Sequence, residues 1–254
     1  MALDATIHSI YRYPIKGLSA EPLPSTRLMA GRTLPADRLY AIENGPTGFD
    51  PAAPAYFPKQ RFLMLMKNES LARLDTAFDE ATHVLSIRVG GREVARGDLS
   101  TDAGRTAIEA FFATYCAAEL NGPPKILHAP GHSFSDVARK VVSIINLASV
   151  AAIETVIGAP VDPVRFRANL YVAGWPAWSE FDLLGQEIAI GAGARARVVK
   201  RIERCAATNV DPATGIRDLR IPRTLLLNFD HSECGIYAEV IADGDIAVGD
   251  TVRA

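Results

Sequence analysis

The sequence predicts an α+β protein in which strands greatly outnumber helices. Short stretches with alternating polar and apolar residues recur along the 254-residue chain, and Gly- and Pro-rich turns separate them. A helical period is evident only over residues 102–120 and 148–157. These two stretches do not alternate regularly with strands, so a wound parallel sheet is not expected. The pattern favours antiparallel β-barrels with a few helices.

The composition is that of a globular protein with no strong charge. The formal net charge is −2, 48% of the residues are hydrophobic and 22% are charged, which argues against a disordered chain. A chain without basic excess is a poor candidate for nucleic-acid binding. No apolar run reaches the ~18 residues of a membrane span, and the first residues lack the apolar core of a secretory signal. With only three cysteines, a reducing compartment is indicated, and we expect a cytoplasmic protein without nucleic-acid or membrane partners.

The first half of the chain is predicted to hold most of its strands before one helix. Strands are expected over residues 5–13, 39–42, 62–67, 84–89 and 92–95, the last two joined at the Gly90-Gly91 turn. Thr101 or Asp102 can cap the helix that follows. The Asn-Gly-Pro-Pro segment at residues 121–124 then interrupts the chain. It predicts a division into an N-terminal β-rich domain, residues 1–122, and a second domain, residues 123–254.

The second half is predicted to be a barrel with one helix. Gly158 follows residues 148–157, at the position where glycine commonly ends a helix. Strands are expected over residues 125–128, 141–145, 163–172, 187–190, 196–208, 225–229, 235–241 and 246–252.

One glycine-rich segment matches a nucleotide-binding pattern but lacks its context. Residues 191–196 read Gly-x-Gly-x-x-Ala after a predicted strand. The residues that follow suit a strand better than a helix, so the helix N-terminus that would bind a pyrophosphate is missing. We therefore predict a hairpin turn, with dinucleotide binding as the weaker alternative.

The three cysteines differ in their surroundings. Cys116 lies within the predicted helix and suggests a buried, inert thiol, and Cys234 also suggests no chemical role. Cys205 stands where a long strand runs into a loop, next to Arg201 and Arg204. Positive charge favours a thiolate, and strand-to-loop junctions often present reactive groups. Composition alone still favours a structural role for Cys205.

The segment around Cys205 resembles the cysteine motif of the MOSC family, named after the C-terminal domain of molybdenum-cofactor sulfurase. Five further segments resemble motifs of that family and of the N-terminal domain that precedes it, in the same order along the chain. The six segments are 13–17 (Tyr-Pro-Ile-Lys-Gly), 37–40 (Asp-Arg-Leu-Tyr), 134–136 followed by 144–148, 165–169 (Arg-Phe-Arg-Ala-Asn), 204–215 and 244–252. The layout is most similar to that of the amidoxime-reducing components.

The resemblance implies a MOSC-type β-barrel after the N-terminal domain, with a molybdopterin cofactor between the two. It implies that the Cys205 thiolate binds molybdenum and is the catalytic residue. Lys16 and Arg38 would contact the pterin phosphate, which suits residues that bind phosphate oxygens. The implied pterin contacts are Arg167 and Asn169, with Asp136 and Asp211 as supporting acceptors.

The leading interpretation is therefore a molybdenum-dependent oxidoreductase that reduces N-hydroxylated or other N–O or S–O small molecules. The 254 residues include no ferredoxin-like domain with four cysteines, so we expect electrons from a separate flavoprotein or iron–sulfur protein. The alternative is a sulfur carrier with a persulfide on Cys205, or a protein that binds and delivers the cofactor without redox turnover. A barrel that has lost its ligand and serves only as an interaction partner is a third, less favoured reading.

Overall fold

The computed structural model describes residues 3–254. It contains fifteen β-strands, three α-helices and several short 3₁₀ helices. The elements are β1 (Asp4–Arg12), β2 (Glu21–Leu23), β3 (Ser25–Leu28), β4 (Ala41–Asn44), β5 (Asp75–Asp79), β6 (Val84–Val89), β7 (Arg92–Asp98), α1 (Asp102–Tyr115), β8 (Pro124–Leu127), β9 (Val142–Asn146), α2 (Leu147–Ile157), β10 (Leu170–Ala173), β11 (Glu187–Ile190), β12 (Ala194–Glu203), α3 (Ile221–Phe229), β13 (Glu233–Ala242), β14 (Gly244–Ala247) and β15 (Thr251–Arg253). The predicted α+β class with a strong excess of strands is confirmed.

Seven strands close into a barrel. Their order is β1-β10-β9-β13-β12-β11-β15, and β1 completes the circle because it pairs with both β10 and β15. Strand β12 alternates between buried and exposed side chains along most of its length, as expected of a strand with one face in a core. The barrel interior is filled by aliphatic side chains from all seven strands. The first strand of the chain therefore belongs to a barrel built mainly from the C-terminal half.

One connection in the barrel departs from the antiparallel prediction. Strands β9 and β10 pair in parallel, and α2 forms the crossover between them. Asn146 begins this helix, since its side chain accepts a hydrogen bond from the Ala148 amide at 3.1 Å. Gly158 ends the helix in the left-handed conformation at φ 73°. The predicted glycine stop is confirmed, but the sequence did not reveal the βαβ unit.

The N-terminal part of the chain adds a second, smaller core beside the barrel. A three-stranded meander, β5-β6-β7, and the β4–β8 pair pack with α1 around it. Helix α1 buries Ile108 and Phe112, and the Thr101 side chain caps it by accepting from the Gly104 amide. The helix ends at Tyr115 and a 3₁₀ turn follows, so it is shorter than predicted. The predicted domain boundary at residue 122 stays a prediction, because β1 and β3 pair with strands from the other half.

Several predicted strands have another conformation. Residues 225–229 belong to helix α3, where Leu225 is buried while Leu226 and Leu227 are exposed. A run of leucines has no period that separates a helix from a buried strand, which explains this error. Within the predicted strand 62–67, residues 65–67 form a turn, and the Asn68 side chain accepts a hydrogen bond from the Met64 amide.

The other differences lie at strand ends. The predicted strand 163–172 begins as a 3₁₀ helix, Pro163–Phe166, and β12 ends at Glu203 before a second one, Ala206–Asn209. The predicted strand 246–252 is divided between β14 and β15, and β2, β3 and β5 were not predicted. The glycine-rich segment 191–196 is the β11–β12 hairpin turn, as predicted. Among residues 3–254, no helix has the length and apolar character needed to cross a membrane.

Candidate active site

A cavity of about 240 Å³ lies between the barrel and the N-terminal core. We call it the cofactor cavity, because the family resemblance implies a cofactor between the two halves of the chain. Its wall contains side chains from both halves of the chain. Six of the seven predicted site residues line it: Lys16, Arg38, Asp136, Arg167, Asn169 and Cys205. Asp211 does not line this cavity.

The lining of the cofactor cavity is strongly cationic. Seven lysine and arginine residues line it, against three acidic residues. The lysine and arginine residues are Lys16, Arg38, Lys59, Arg165, Arg167, Lys200 and Arg204. Because the whole chain carries a net charge of −2, this excess is local. A cavity with fixed positive charge and limited solvent favours an anionic ligand.

Cys205 enters the cavity at the end of β12. Its carbonyl accepts hydrogen bonds from the Thr208 amide at 3.1 Å and the Thr208 hydroxyl at 2.9 Å, which turns the chain into the Ala206–Asn209 3₁₀ helix. The Lys59 ammonium lies 3.2 Å from the Cys205 sulfur. Positive charge beside a cysteine favours the thiolate, the form that attacks electrophiles and binds metals.

The other two cysteines have no access to the cavity. Cys116 is buried in the N-terminal core and Cys234 in a core beside α2 and α3. Burial raises the pKa of each thiol to about 12. The prediction that Cys116 is buried agrees with the structure, and only Cys205 has the surroundings of a reactive thiol.

Asp136 lies between two lysines. Lys16 donates to the Asp136 carboxylate and to the Phe134 carbonyl at 2.8 Å, and Lys59 approaches the other carboxylate oxygen at 3.7 Å. Burial raises the pKa of Asp136, but the two lysines outweigh this and hold it well below its usual value. Burial also lowers the pKa of Lys16, against the opposing effect of Asp136. Gly17 makes this loop possible, because its φ is 86° and a Cβ would lie 2.8 Å from the Leu63 carbonyl oxygen.

Arg38 and Arg167 meet over one aromatic ring. Their guanidinium carbons lie 4.4 Å and 4.3 Å from the centre of the Tyr13 ring, within the range of cation–π attraction. Arg38 donates to both carboxylate oxygens of Asp37, at 2.7 and 2.6 Å, and to the Arg167 carbonyl at 2.8 Å. Both arginines have positive φ, 50° and 51°, a strain typical of functional sites.

The guanidinium of Arg167 has no hydrogen bond or ion pair within residues 3–254. Burial lowers the pKa of Arg167, and the neighbouring Arg38 lowers it further. An arginine held without a partner in a cavity wall is able to bind an incoming anion through two parallel hydrogen bonds.

Asp211 and Arg165 form a separate arrangement beside the cavity. Arg165 is buried and pairs with both oxygens of Asp218 at 2.8 Å and with Asp211 at 3.0 Å. Asp211 also accepts from the Thr214 amide and hydroxyl at 2.7 and 2.9 Å. Its carboxylate therefore orders the loop after Cys205 and neutralises Arg165.

Asn169 lines the cavity with its hydrogen-bonding groups already engaged. Its side-chain oxygen accepts from the Ser143 amide at 3.1 Å and hydroxyl at 2.9 Å, and its side-chain amide donates to the Tyr11 carbonyl at 3.2 Å. These bonds join β1, β9 and the start of β10. In this structure Asn169 organises the wall behind Arg167.

Two residues of this site were not selected from the sequence. Lys59 lies in the segment 57–62, whose spacing carries no motif strong enough to single it out. Its contact with Cys205 depends on the fold, because 146 positions separate the two residues. Arg165 belongs to the 165–169 motif, but the sequence does not show which of its two arginines is neutralised by the protein.

Two family models match this sequence and together cover nearly the whole chain. The MOSC N-terminal beta barrel domain matches residues 4–119, and the MOSC domain matches residues 129–253. The chain belongs to the MOSC-domain family. MOSC domains are associated with proteins that bind the molybdenum cofactor, and the predicted family is confirmed.

Two solved structures are similar to this MOSC-domain protein. The YuaD protein from Bacillus subtilis has 14% sequence identity and a TM-score of 0.48, with 100% of this chain and 96% of that chain covered. YiiM from Geobacillus stearothermophilus has 21% identity and a TM-score of 0.35, with 44% of this chain and 53% of that chain covered. No curated protein matches the chain.

Proposed function

We propose that this MOSC-domain protein binds the molybdenum cofactor in the cofactor cavity and reduces N-hydroxylated or other N–O or S–O substrates. One observation carries the proposal. The cysteine with the surroundings of a reactive thiol and an arginine without a protein partner line one cationic cavity, next to Lys16 and Arg38.

The residues present fit such a cofactor. The pterin phosphate is an anion, and the cavity offers a large excess of cationic side chains. A thiolate is a soft ligand that suits a redox-active transition metal. The volume, about 240 Å³, lies below the range of small-molecule sites, which begins at about 300 Å³, so the cofactor would leave no free space in the cavity.

Each residue has a definable role in this proposal. Cys205 would bind the metal through its thiolate, and no group of three or more His, Cys, Asp or Glu that could hold a metal ion occurs within residues 3–254. Lys16, Arg38 and Arg167 would bind the anionic parts of the cofactor. Lys59 would leave the Cys205 sulfur and keep its partner Asp136, 3.7 Å away. When bound, the cofactor supplies the two-electron chemistry that removes oxygen from the substrate.

The reaction also needs electrons and protons. Reduction of an N–OH group to N–H takes two electrons and two protons and releases water. We propose that a separate flavoprotein or iron–sulfur protein supplies the electrons. Lys59 and Lys200 line the cavity and are candidates to hold a proton near the departing oxygen.

The contact between Lys59 and Cys205 also supports a second candidate function. An ammonium 3.2 Å from the sulfur would stabilise a persulfide anion on Cys205 in the same way as a thiolate. In that case the protein would carry sulfur, or would bind and deliver the cofactor, without redox turnover.

The molybdenum, pterin or sulfur bound to the purified protein distinguishes between these two functions. We expect about one molybdenum and one pterin per chain after production in a host that makes the cofactor. Such protein should reduce an N-hydroxylated substrate when a chemical reductant replaces the partner. If it instead carries no molybdenum or pterin but releases about one sulfur per chain with cyanide, the oxidoreductase proposal is wrong and the sulfur-carrier function is supported.

A further inference from the structure

A second cavity of about 390 Å³ lies beside the cofactor cavity. We call it the apolar cavity, because eleven of its eighteen lining residues are aliphatic or proline. Both halves of the chain contribute: Leu18, Leu65, Leu71 and Leu74 come from the N-terminal half, and Val164 and Val210 from the barrel side.

The two cavities share part of their walls. Gly17, Leu65, Arg165, Arg167 and Ala207 line both of them. Ala207 is also only two positions from Cys205 in the chain. The apolar cavity therefore adjoins the wall that carries the proposed metal ligand.

Two arginines, Arg165 and Arg167, line the boundary between the cavities. Arg165 is neutralised by two aspartates, and Arg73 donates to the Thr214 carbonyl at 3.0 Å. The Arg167 guanidinium lines both cavities and is the group proposed above to bind the cofactor, so neither boundary arginine is available to a polar group of the substrate.

The other polar residues that line the apolar cavity are Tyr11, Ser19 and Asp75, of which Asp75 is exposed to solvent. The Ser19 hydroxyl donates to the Leu74 carbonyl at 2.8 Å and accepts from the Thr76 amide at 3.0 Å. A polar molecule against the aliphatic part of this wall would lose hydrogen bonds with water and gain few in return. An apolar molecule would gain by leaving water.

We propose that the apolar cavity binds the body of the substrate, whose polar end then faces the cofactor cavity. The substrate class is a small molecule with an aromatic or branched aliphatic body and one N–O group. This inference rests on the proposed function, because it assigns the body of the same substrate to a place in the structure.

Two hydroxamic acids with the same polar end test this inference. Benzohydroxamic acid carries a phenyl body and acetohydroxamic acid a methyl group, so their affinity ratio reports on the body alone. The titration uses the full-length protein as purified, without reductant, and the molybdenum content is measured in parallel. We expect benzohydroxamic acid to bind at least about tenfold more tightly, consistent with burial of several carbons.

A variant that fills the apolar cavity tests whether the preference for benzohydroxamic acid arises there. Ala72 lines the apolar cavity only, and Ala72→Leu should weaken benzohydroxamic acid at least about fivefold without changing acetohydroxamic acid. Ala95→Leu is the matched control, since Ala95 packs on the same core and lines neither cavity. If Ala72→Leu does not fold, Ala213→Trp at the exposed rim replaces it.

The results of these experiments distinguish a failure of this inference from a failure of the proposed function. Equal affinity for the two probes, or an Ala72→Leu variant that binds like Ala95→Leu, would overturn the inference. A preference that disappears when molybdenum and pterin are bound would assign the apolar cavity to the cofactor and also overturn it. Protein that lacks molybdenum but keeps the preference would retain the cavity assignment and contradict the oxidoreductase proposal alone.

Discussion

Arg165 and Arg167 are two positions apart in one motif, yet their surroundings in the structure differ. Arg165 points to two aspartates that neutralise it, whereas Arg167 lies over Tyr13 with no ion pair within residues 3–254. A buried cation that the chain neutralises contributes to folding, and one left without a partner costs desolvation until a ligand arrives. The same substitution at both positions should therefore separate stability from binding.

The largest expected effect is that of Arg165→Met on stability. The change leaves Asp211 and Asp218 without their cation and should lower the free energy of unfolding by about 3 kcal/mol, the usual cost of breaking a buried ion pair. Urea denaturation monitored by circular dichroism measures it. A loss below about 1 kcal/mol would show that the pair does not hold the loop after Cys205.

Arg167→Met should change the stability of the fold little and weaken cofactor binding strongly. Removal of a partly buried cation without a partner should change the free energy of unfolding by less than about 1 kcal/mol. The pterin retained per chain should fall at least tenfold, because the cofactor loses a charged contact. Pterin fluorescence after release, with Arg165→Met assayed in parallel, is the measurement. Full pterin retention in Arg167→Met would remove Arg167 from the site.

Lys59→Gln tests the contact with Cys205. Cofactor-free protein should react with iodoacetamide at Cys205 about fivefold more slowly in the variant, because the ammonium 3.2 Å from the sulfur is gone. Lys125→Gln, an exposed lysine outside the cavity, is the control. Cys116 and Cys234 should stay unlabelled in both, since burial raises their pKa to about 12. Equal labelling rates in the two variants would contradict the assigned role of Lys59.

The smallest expected effect concerns the pH dependence at Asp136. A carboxylate with a lowered pKa stabilises the folded state above the pKa of the unfolded chain, about 4, and this stabilisation is lost as the pH falls below it. About half of the Asp136 side chain is exposed, so screening limits the contribution to about 1 kcal/mol. The stability difference between wild type and Asp136→Asn should be constant from pH 7 to 5 and shrink towards pH 3. A stability difference between wild type and Asp136→Asn that grows as the pH falls would contradict a lowered pKa of Asp136.

The sequence predicted the fold class and most strands, because alternation and turn residues are local signals. It placed β6 and β11 with their observed bounds. It did not show that β1 closes the barrel, since strand pairing depends on contacts distant in sequence. Helix α3 was mistaken for a strand because three consecutive leucines carry no period.

The candidate site was partly predictable for the same reason. Separate motifs identified Lys16, Arg38, Arg167 and Cys205 individually. The fold places all four around one cavity. The partner of each side chain is a tertiary property. The sequence therefore could not show that Asp211 neutralises Arg165, that Asn169 is already bonded, or that Lys59 reaches Cys205.

The most direct test of the central claim, that Cys205 holds molybdenum in this cavity, is the metal and pterin content of Cys205→Ala beside Cys116→Ala. Both proteins are produced in a host that makes the cofactor, and their folding is checked by circular dichroism. The account predicts about one molybdenum per chain in Cys116→Ala and at least a tenfold loss in Cys205→Ala. Equal molybdenum in the two variants would contradict it.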